Sequence, residues 1–149
     1  MDPTARCFTF ERPDSEKPKD FVMLCRTDRV LGAVQVVRRG GETNLHSHPN
    51  LDGIWYVLKG RARFYTTGDE VIGDLGANEG VLIPRGYPYW FEAVGDDELH
   101  VLQVEASTKP MPAADGIRDF SSDRVDHAPR VRTPGTAYVA PEPPAGGGA

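Results

Sequence analysis

The sequence is poor in cysteine, in long apolar runs and in positive charge. Cys7 and Cys25 are the two cysteines among 149 residues, and without a CxxC spacing they do not form a disulfide framework. No stretch approaches the roughly 18 apolar residues of a membrane-spanning helix, and no basic segment precedes an apolar one near the start. We therefore expect a cytoplasmic protein with two reduced thiols and no membrane partner.

The charge balance excludes a second class of partner. The 22 acidic and 17 basic residues give a net charge of −5, which disfavours binding to a nucleic-acid backbone. A chain of 149 residues is long enough for one domain with its own core. Composition divides it into an N-terminal arm at 1–19, a β-rich domain at 20–106 and a Pro/Gly-rich tail at 107–149 that we expect to be partly disordered.

Short runs of β-branched, aromatic and aliphatic residues recur along the β-rich domain. Turn residues interrupt them roughly every 8 to 12 positions, and no convincing helical period is present. The runs predict strands at 21–25, 30–38, 54–58, 61–65, 71–74, 81–83, 87–91 and 99–105, with a possible short strand at 6–10 and a strand around the first histidines. This pattern is typical of an all-β sandwich or barrel.

Two of the four histidines stand one residue apart after a glycine pair. Residues two apart on a strand point to the same face, so His46 and His48 can direct both imidazoles to one point. That geometry is typical of metal ligands, and we predict a metal site at this pair.

Two segments together resemble the conserved motifs of the cupin family. The segment Gly40 to Gly60, GGETNLHSHPNLDGIWYVLKG, is similar to the first motif, and LGANEGVLIPRGYPYWFEAV at 75–94 is similar to the second. The resemblance covers residues 20–106 and implies a double-stranded β-helix, the jelly-roll barrel. It also implies a divalent transition metal, Fe, Mn, Zn or Ni, held inside the barrel by three imidazoles and a carboxylate.

The chain departs from these motifs at two ligand positions. Gly53 stands where the family has its metal-binding glutamate, and Tyr89 stands where it has its third histidine. A bulge in the loop at 50–53 would turn the neighbouring Asp52 inward, so we predict His46, His48 and Asp52 as metal ligands. Tyr89 is the predicted catalytic residue, as a proton donor or as a phenolate ligand to ferric iron.

Aromatic residues and a further histidine are candidates for a substrate pocket. Strand alternation places Tyr89 and Phe91 on one face, and Tyr56 and His100 complete the set. For the last strand, alternation leaves two possibilities open. One sends His100, Leu102 and Val104 inward, and the other sends Leu99, Val101, Gln103 and Glu105 inward.

Two functions of different classes remain. The first is a metal-dependent enzyme acting on a small organic molecule by oxygenase, isomerase, cyclase or lyase chemistry. The second is a non-catalytic protein that has lost its metal and binds a small molecule in the same barrel. In either case the resemblance implies a homodimer, with Phe8 and Phe10 on an N-terminal strand that pairs with the partner subunit.

Removal of residues 141–149, PEPPAGGGA, should leave the melting temperature nearly unchanged. This segment carries too little apolar surface to offset the conformational entropy lost when a chain is ordered. Thermal unfolding of the full and shortened chains tests this, and a loss of more than a few degrees would contradict it.

Overall fold

The computed structural model describes residues 3–112 together with the backbone of residues 123–124. Those residues contain one turn of 3-10 helix, Thr67–Asp69, and ten strands. The strands are β1 Lys19–Arg26, β2 Val30–Val37, β3 His46–Ser47, β4 Leu51–Lys59, β5 Ala62–Tyr65, β6 Val71–Leu75, β7 Gly80–Ile83, β8 Trp90–Ala93, β9 Leu99–Ser107 and β10 Asp123–Arg124. Among the described residues there is no helix long and apolar enough to cross a membrane.

Eight of these strands form two antiparallel sheets that face each other. One has five strands in the order β1-β2-β9-β4-β7, and the other has three in the order β6-β5-β8. Strand β3 lies beside the start of β8, to which a bridge between His46 and Tyr89 connects it, and β10 pairs with the other edge of β3. This is the predicted all-β jelly roll. Its strands overlap the predicted runs from residue 21 to residue 105, although β4 begins at Leu51 instead of residue 54 and β8 begins at Trp90 instead of residue 87.

The core lies between the sheets and follows the two-residue period of the strands. Along β4 and β9 every second side chain is buried, beginning with Leu51 and Leu99 respectively. The main buried cluster contains Val37, Trp55, Val57, Ala62, Phe64, Ile83, Tyr89, Phe91, Leu99 and Val101. Alternation therefore fixes which side chains of the central strands reach the interior of the barrel.

The N-terminal arm forms no strand between residues 3 and 18, so the short strand predicted at 6–10 is wrong. The arm packs on its own barrel, because the Phe10 ring meets the His100 ring edge-on at 5.5 Å and Arg12 pairs with Glu98 at 2.7 Å. Phe8 remains 55% exposed. Pairing of this arm with a partner subunit, and the homodimer itself, stay predictions.

Glu98 joins the arm to the barrel through four charge-assisted hydrogen bonds. Its two oxygens accept from Arg12 at 2.7 and 2.8 Å, from Arg38 at 2.7 Å and from His100 at 2.7 Å. Arg38 also donates to Asp20 at 3.0 Å, which ties β1 into the same cluster. The donors, Arg12 foremost, hold the pKa of Glu98 well below its ordinary value.

The chain beyond β9 crosses one end of the five-stranded sheet. The amides of Thr108 and Met111 donate to the carbonyls of Asn50 and Asp28 at 2.9 and 2.7 Å. Met111 is buried in a small cluster with Leu31, Ala33 and Leu51. The predicted tail therefore begins with a docked segment, whereas most of its length, including residues 141–149, lies outside the described residues.

Glu98→Gln should lower the free energy of unfolding by about 1–3 kcal/mol, because it removes the charge that four hydrogen bonds share. The lower end is expected, since Arg12 is 44% exposed and solvent screens its contribution. Because folding lowers this pKa, the stabilisation is complete above the unfolded value of 4.5 and is lost as the pH falls toward the folded value.

Urea unfolding of both chains between pH 3 and pH 8 measures this difference. Asp96→Asn is the matched control, because Asp96 lies in the adjacent turn, is fully exposed and contacts Arg39 at only 4.0 Å. A difference between wild type and Glu98→Gln that persists undiminished at pH 3 would contradict the assignment.

Candidate functional site

The histidine pair lies beside Tyr89 at the edge where β3 meets β8. Two backbone hydrogen bonds fix this contact, from the His46 amide to the Tyr89 carbonyl at 3.1 Å and from the Tyr89 amide to the His46 carbonyl at 2.9 Å. The ring centroids of His46 and His48 are 4.9 Å apart, and those of His46 and Tyr89 are 4.4 Å apart. The structure thus brings together the three residues that the sequence placed at this site.

Each imidazole has a defined hydrogen bond. The Nδ1–H of His46 donates to the Asn44 carbonyl at 2.6 Å, which assigns the proton of that ring to Nδ1. The Nε2 of His48 lies 3.1 Å from the Tyr89 hydroxyl. Tyr89, at the third-histidine position, therefore forms a hydrogen bond with the His48 nitrogen that could otherwise bind a metal.

Tyr89 is buried, with 2% of its surface exposed, and its ring packs 4.9 Å from that of Trp55. Burial raises its pKa well above 10, and the negative charge of Glu105 acts in the same direction. The phenol is therefore protonated near neutral pH and can donate a hydrogen bond to His48. This argues against the phenolate form that a ferric-iron ligand would require.

The Trp55 ring fills the space in front of Gly53. A β-carbon on Gly53 would lie 2.2 Å from Cζ3 of Trp55 and 2.4 Å from its Cη2. A glutamate side chain, which the family has at this position, has no room while the indole keeps this rotamer. The position of the Trp55 ring therefore requires glycine at residue 53.

Asp52 does not join the histidines in this structure. Strand β4 already begins at Leu51 and carries no bulge at residue 52, so the side chain of Asp52 points to the outer face, opposite to Gly53. There it accepts from the Arg85 amide at 2.9 Å and pairs with the Arg85 guanidinium at 3.3 Å. The predicted inward loop is replaced by a regular strand.

The donor set does not fit the metal that the resemblance implies. Within residues 3–112, no three side chains of His, Cys, Asp or Glu lie close enough to hold one ion. Two imidazoles alone are a weak site, since affinity depends on ligand number and preorganisation. The family's carboxylate and third imidazole are both absent from the positions where they would complete the set.

Two of the four predicted pocket residues lie elsewhere. Tyr56 is on the outer face of β4 and 37% exposed, with its hydroxyl 3.4 Å from Asn78. His100 is also on the outer face, under Phe10, because β9 directs its odd-numbered residues inward. Phe91 shares the inner face with Tyr89 as predicted, but it is packed in the core against Phe64 at 4.8 Å.

Three buried polar residues lie on the inner face, of which the sequence left Gln103 and Glu105 in one of two possible inward sets and gave no role to Gln35. Gln35, Gln103 and Glu105 are 6%, 7% and 4% exposed. Gln35 Nε2 donates to Gln103 Oε1 at 2.5 Å, and Gln103 Nε2 donates to Glu105 Oε1. A signal for them was present, since each interrupts an otherwise apolar strand with a polar residue at an inward position.

Glu105 lies directly across from Gly53. The two residues are Cα partners in the β4–β9 ladder, so their inner faces adjoin. A carboxyl group on β9 therefore stands next to the position from which the family's glutamate would project on β4. Burial raises the pKa of Glu105 to about 7.

Gly53→Ala should lower the free energy of unfolding by about 1–3 kcal/mol, because the added methyl group forces the Trp55 ring out of its rotamer. Tryptophan fluorescence should shift at the same time, which reports displacement of the indole. The control is Gly73→Ala on β6, where the added atom would meet Leu75 at an ordinary 3.4 Å. Equal stability and unchanged fluorescence in both variants would contradict the described packing of Trp55.

Comparison with known proteins agrees with this architecture. A profile of the cupin domain family matches residues 33–105. Among solved structures, the chain is similar to KdgF from Halomonas sp., with a TM-score of 0.58 and 20% identity over 70% of this chain and 96% of that chain. No curated protein sequence matches it.

Two further structures show the same fold. A conserved double-stranded β-helix protein from Klebsiella pneumoniae has a TM-score of 0.60 and 21% identity, over 70% of this chain and 91% of that one. An RmlC-like cupin from Methanocaldococcus jannaschii has a TM-score of 0.58 and 19% identity, over 71% and 94%. The domain match, together with both sequence motifs, places residues 33–105 in the cupin superfamily, and the solved structures share its jelly-roll fold.

Proposed function

We propose that this cupin binds a small organic molecule on the inner face of its barrel without a divalent metal at the histidine pair. The observation that carries the proposal is the Tyr89 hydroxyl at 3.1 Å from His48 Nε2. Whether Nε2 accepts from the hydroxyl or donates to it, a ring nitrogen engaged in this hydrogen bond is not available to a metal ion. The same contact presents a protonated phenol and an imidazole side by side at the edge of the barrel interior.

The surrounding side chains support the same conclusion. The Trp55 ring occupies the place of a carboxylate ligand in front of Gly53, and Asp52 pairs with Arg85 on the opposite face of β4. In their place the inner face offers Gln103 and Glu105, whose amide and carboxyl groups recognise organic ligands through hydrogen bonds. Polar groups on an otherwise apolar wall orient a small ligand and give specificity.

A metal-dependent enzyme with oxygenase, isomerase, cyclase or lyase chemistry is the second candidate. One observation favours it, since His46 and His48 converge, with ring centroids 4.9 Å apart. For a metal to bind there, the Tyr89 hydroxyl would have to move away from His48. The remaining metal ligands would have to come from a bound small molecule or from water. The two candidates therefore differ in whether protein purified without a histidine tag takes up metal.

Elemental analysis of untagged protein after exposure to Fe, Mn, Zn or Ni should find well under one equivalent of metal per chain. Tyr89→Phe should leave this content low and lower the free energy of unfolding by about 0.5–1.5 kcal/mol, the value of one hydrogen bond. One full equivalent that disappears in His46→Ala would overturn the proposal and support the metal-dependent enzyme.

A further inference from the structure

The inner face around Glu105 contains a buried acid without a positive partner. Within residues 3–112 no cation pairs with Glu105, and burial alone accounts for its raised pKa. The neighbouring inward residues on β2 are Leu31 and Ala33, and those on β4 are Leu51 and Gly53, all uncharged. A buried carboxyl group with uncharged neighbours is costly in its ionised form unless a ligand supplies the compensating charge.

The polar chain that ends at Glu105 has a direction. The amide of Gln35 donates to Gln103, and the amide of Gln103 donates to Glu105, so the carboxyl group accepts at one oxygen. At the other end, Oε1 of Gln35 is buried and has no hydrogen-bond partner within the described part of the chain. This row therefore presents acceptor oxygens at both ends, which suits a ligand that donates.

Aromatic rings border the same carboxyl group. The Trp55 ring covers Gly53, which is the direct cross-strand neighbour of Glu105. The centroid of the Tyr89 ring lies 4.9 Å from that of the Trp55 ring. A carboxylate close to an indole and a phenol ring is a combination that proteins use to bind organic ammonium groups.

We infer that the ligand of this inner face is a small organic ammonium ion, with Glu105 as its counter-ion and Trp55 and Tyr89 as aromatic walls. The inference rests on the proposed function, because a divalent metal at the histidines would place competing positive charge beside Tyr89, one of the two aromatic walls. A neutral hydrogen-bonding ligand would leave the buried charge uncompensated. An anionic ligand would be repelled by it.

Matched probes of equal shape and different charge test the inference on the full chain. Choline and its neutral carbon analogue 3,3-dimethylbutan-1-ol form one pair, and butylamine and butan-1-ol form a second. Isothermal titration calorimetry at pH 8 should find that the cation of at least one pair binds about 10-fold or more tightly than its neutral partner. Equal affinities within both pairs, or binding by neither cation, would overturn the inference.

Substitution of Glu105 localises the effect. Glu105→Gln keeps the shape and removes the charge, so it should abolish the preference for the cation while the neutral probe is unaffected. Glu92→Gln is the matched control, because Glu92 is an equally buried carboxyl group, 2% exposed, that accepts from Tyr65 on the outer face of β8. A preference that survives in Glu105→Gln, or is lost equally in Glu92→Gln, would overturn the assignment to Glu105.

The pH dependence of wild-type binding tests the inference without a variant. A cation binds the ionised carboxylate, so affinity should be about 100-fold weaker at pH 5 than at pH 8, given a pKa of about 7 for free Glu105. Binding at pH 6 should release a proton to the buffer. Among the described residues, the titratable group that interacts with Glu105 is Tyr89, whose ring contacts His46 and His48. Affinity that is flat or rises toward pH 5 would overturn the inference.

The metal analysis described above separates this inference from the proposed function. Metal-free protein that shows no preference for cations would retain the proposed function and reject the ammonium ligand. Protein with one metal per chain at the histidines would reject both.

Discussion

The pairing of β9 between β2 and β4 is the constraint on which the inner face of this protein depends. Its register sets Gln103 across from Trp55 and Glu105 across from Gly53, so the polar side chains of one strand meet the aromatic ring of the next. On the other side the same strand faces Ala33 and Leu31, whose small or apolar side chains leave that row intact. A shift by one residue would turn every one of these groups to the outer face.

The site differs from the metal-binding arrangement of its family in two ways: the third histidine is replaced by a tyrosine, and the carboxyl group stands on β9 instead of β4. Gly53 carries no carboxylate, yet Glu105 places one on the adjoining strand, where it accepts from Gln103 rather than converging with the histidines. Tyr89 takes the third-histidine position and binds His48 through its hydroxyl. Glu105 leaves a carboxyl group inside the barrel with no cationic partner within residues 3–112, and burial raises its pKa to about 7.

The outer face of the same strands has a structural role. His100 lies on this outer face. The side chains of His100, Arg12 and Arg38 all donate to Glu98, which anchors the N-terminal arm. Two acids of opposite character therefore lie at the two ends of β9, Glu98 directly before its first residue and Glu105 near its last. Glu98 is stabilised as an anion by its donors, whereas Glu105 is destabilised as an anion by burial.

The sequence by itself determined most strands between residues 21 and 105, because two-residue periods and turn residues act locally. The resemblance to the two motifs supplied the jelly roll and placed Tyr89 at the site of His46 and His48. The sequence could not determine which parity of β9 faces inward, since both sets of alternating residues contain apolar side chains. Nor could it show that β4 starts early enough to turn Asp52 outward. Only the tertiary structure decided these points, because cross-strand register and the packing of Trp55 over Gly53 depend on residues far apart in the chain.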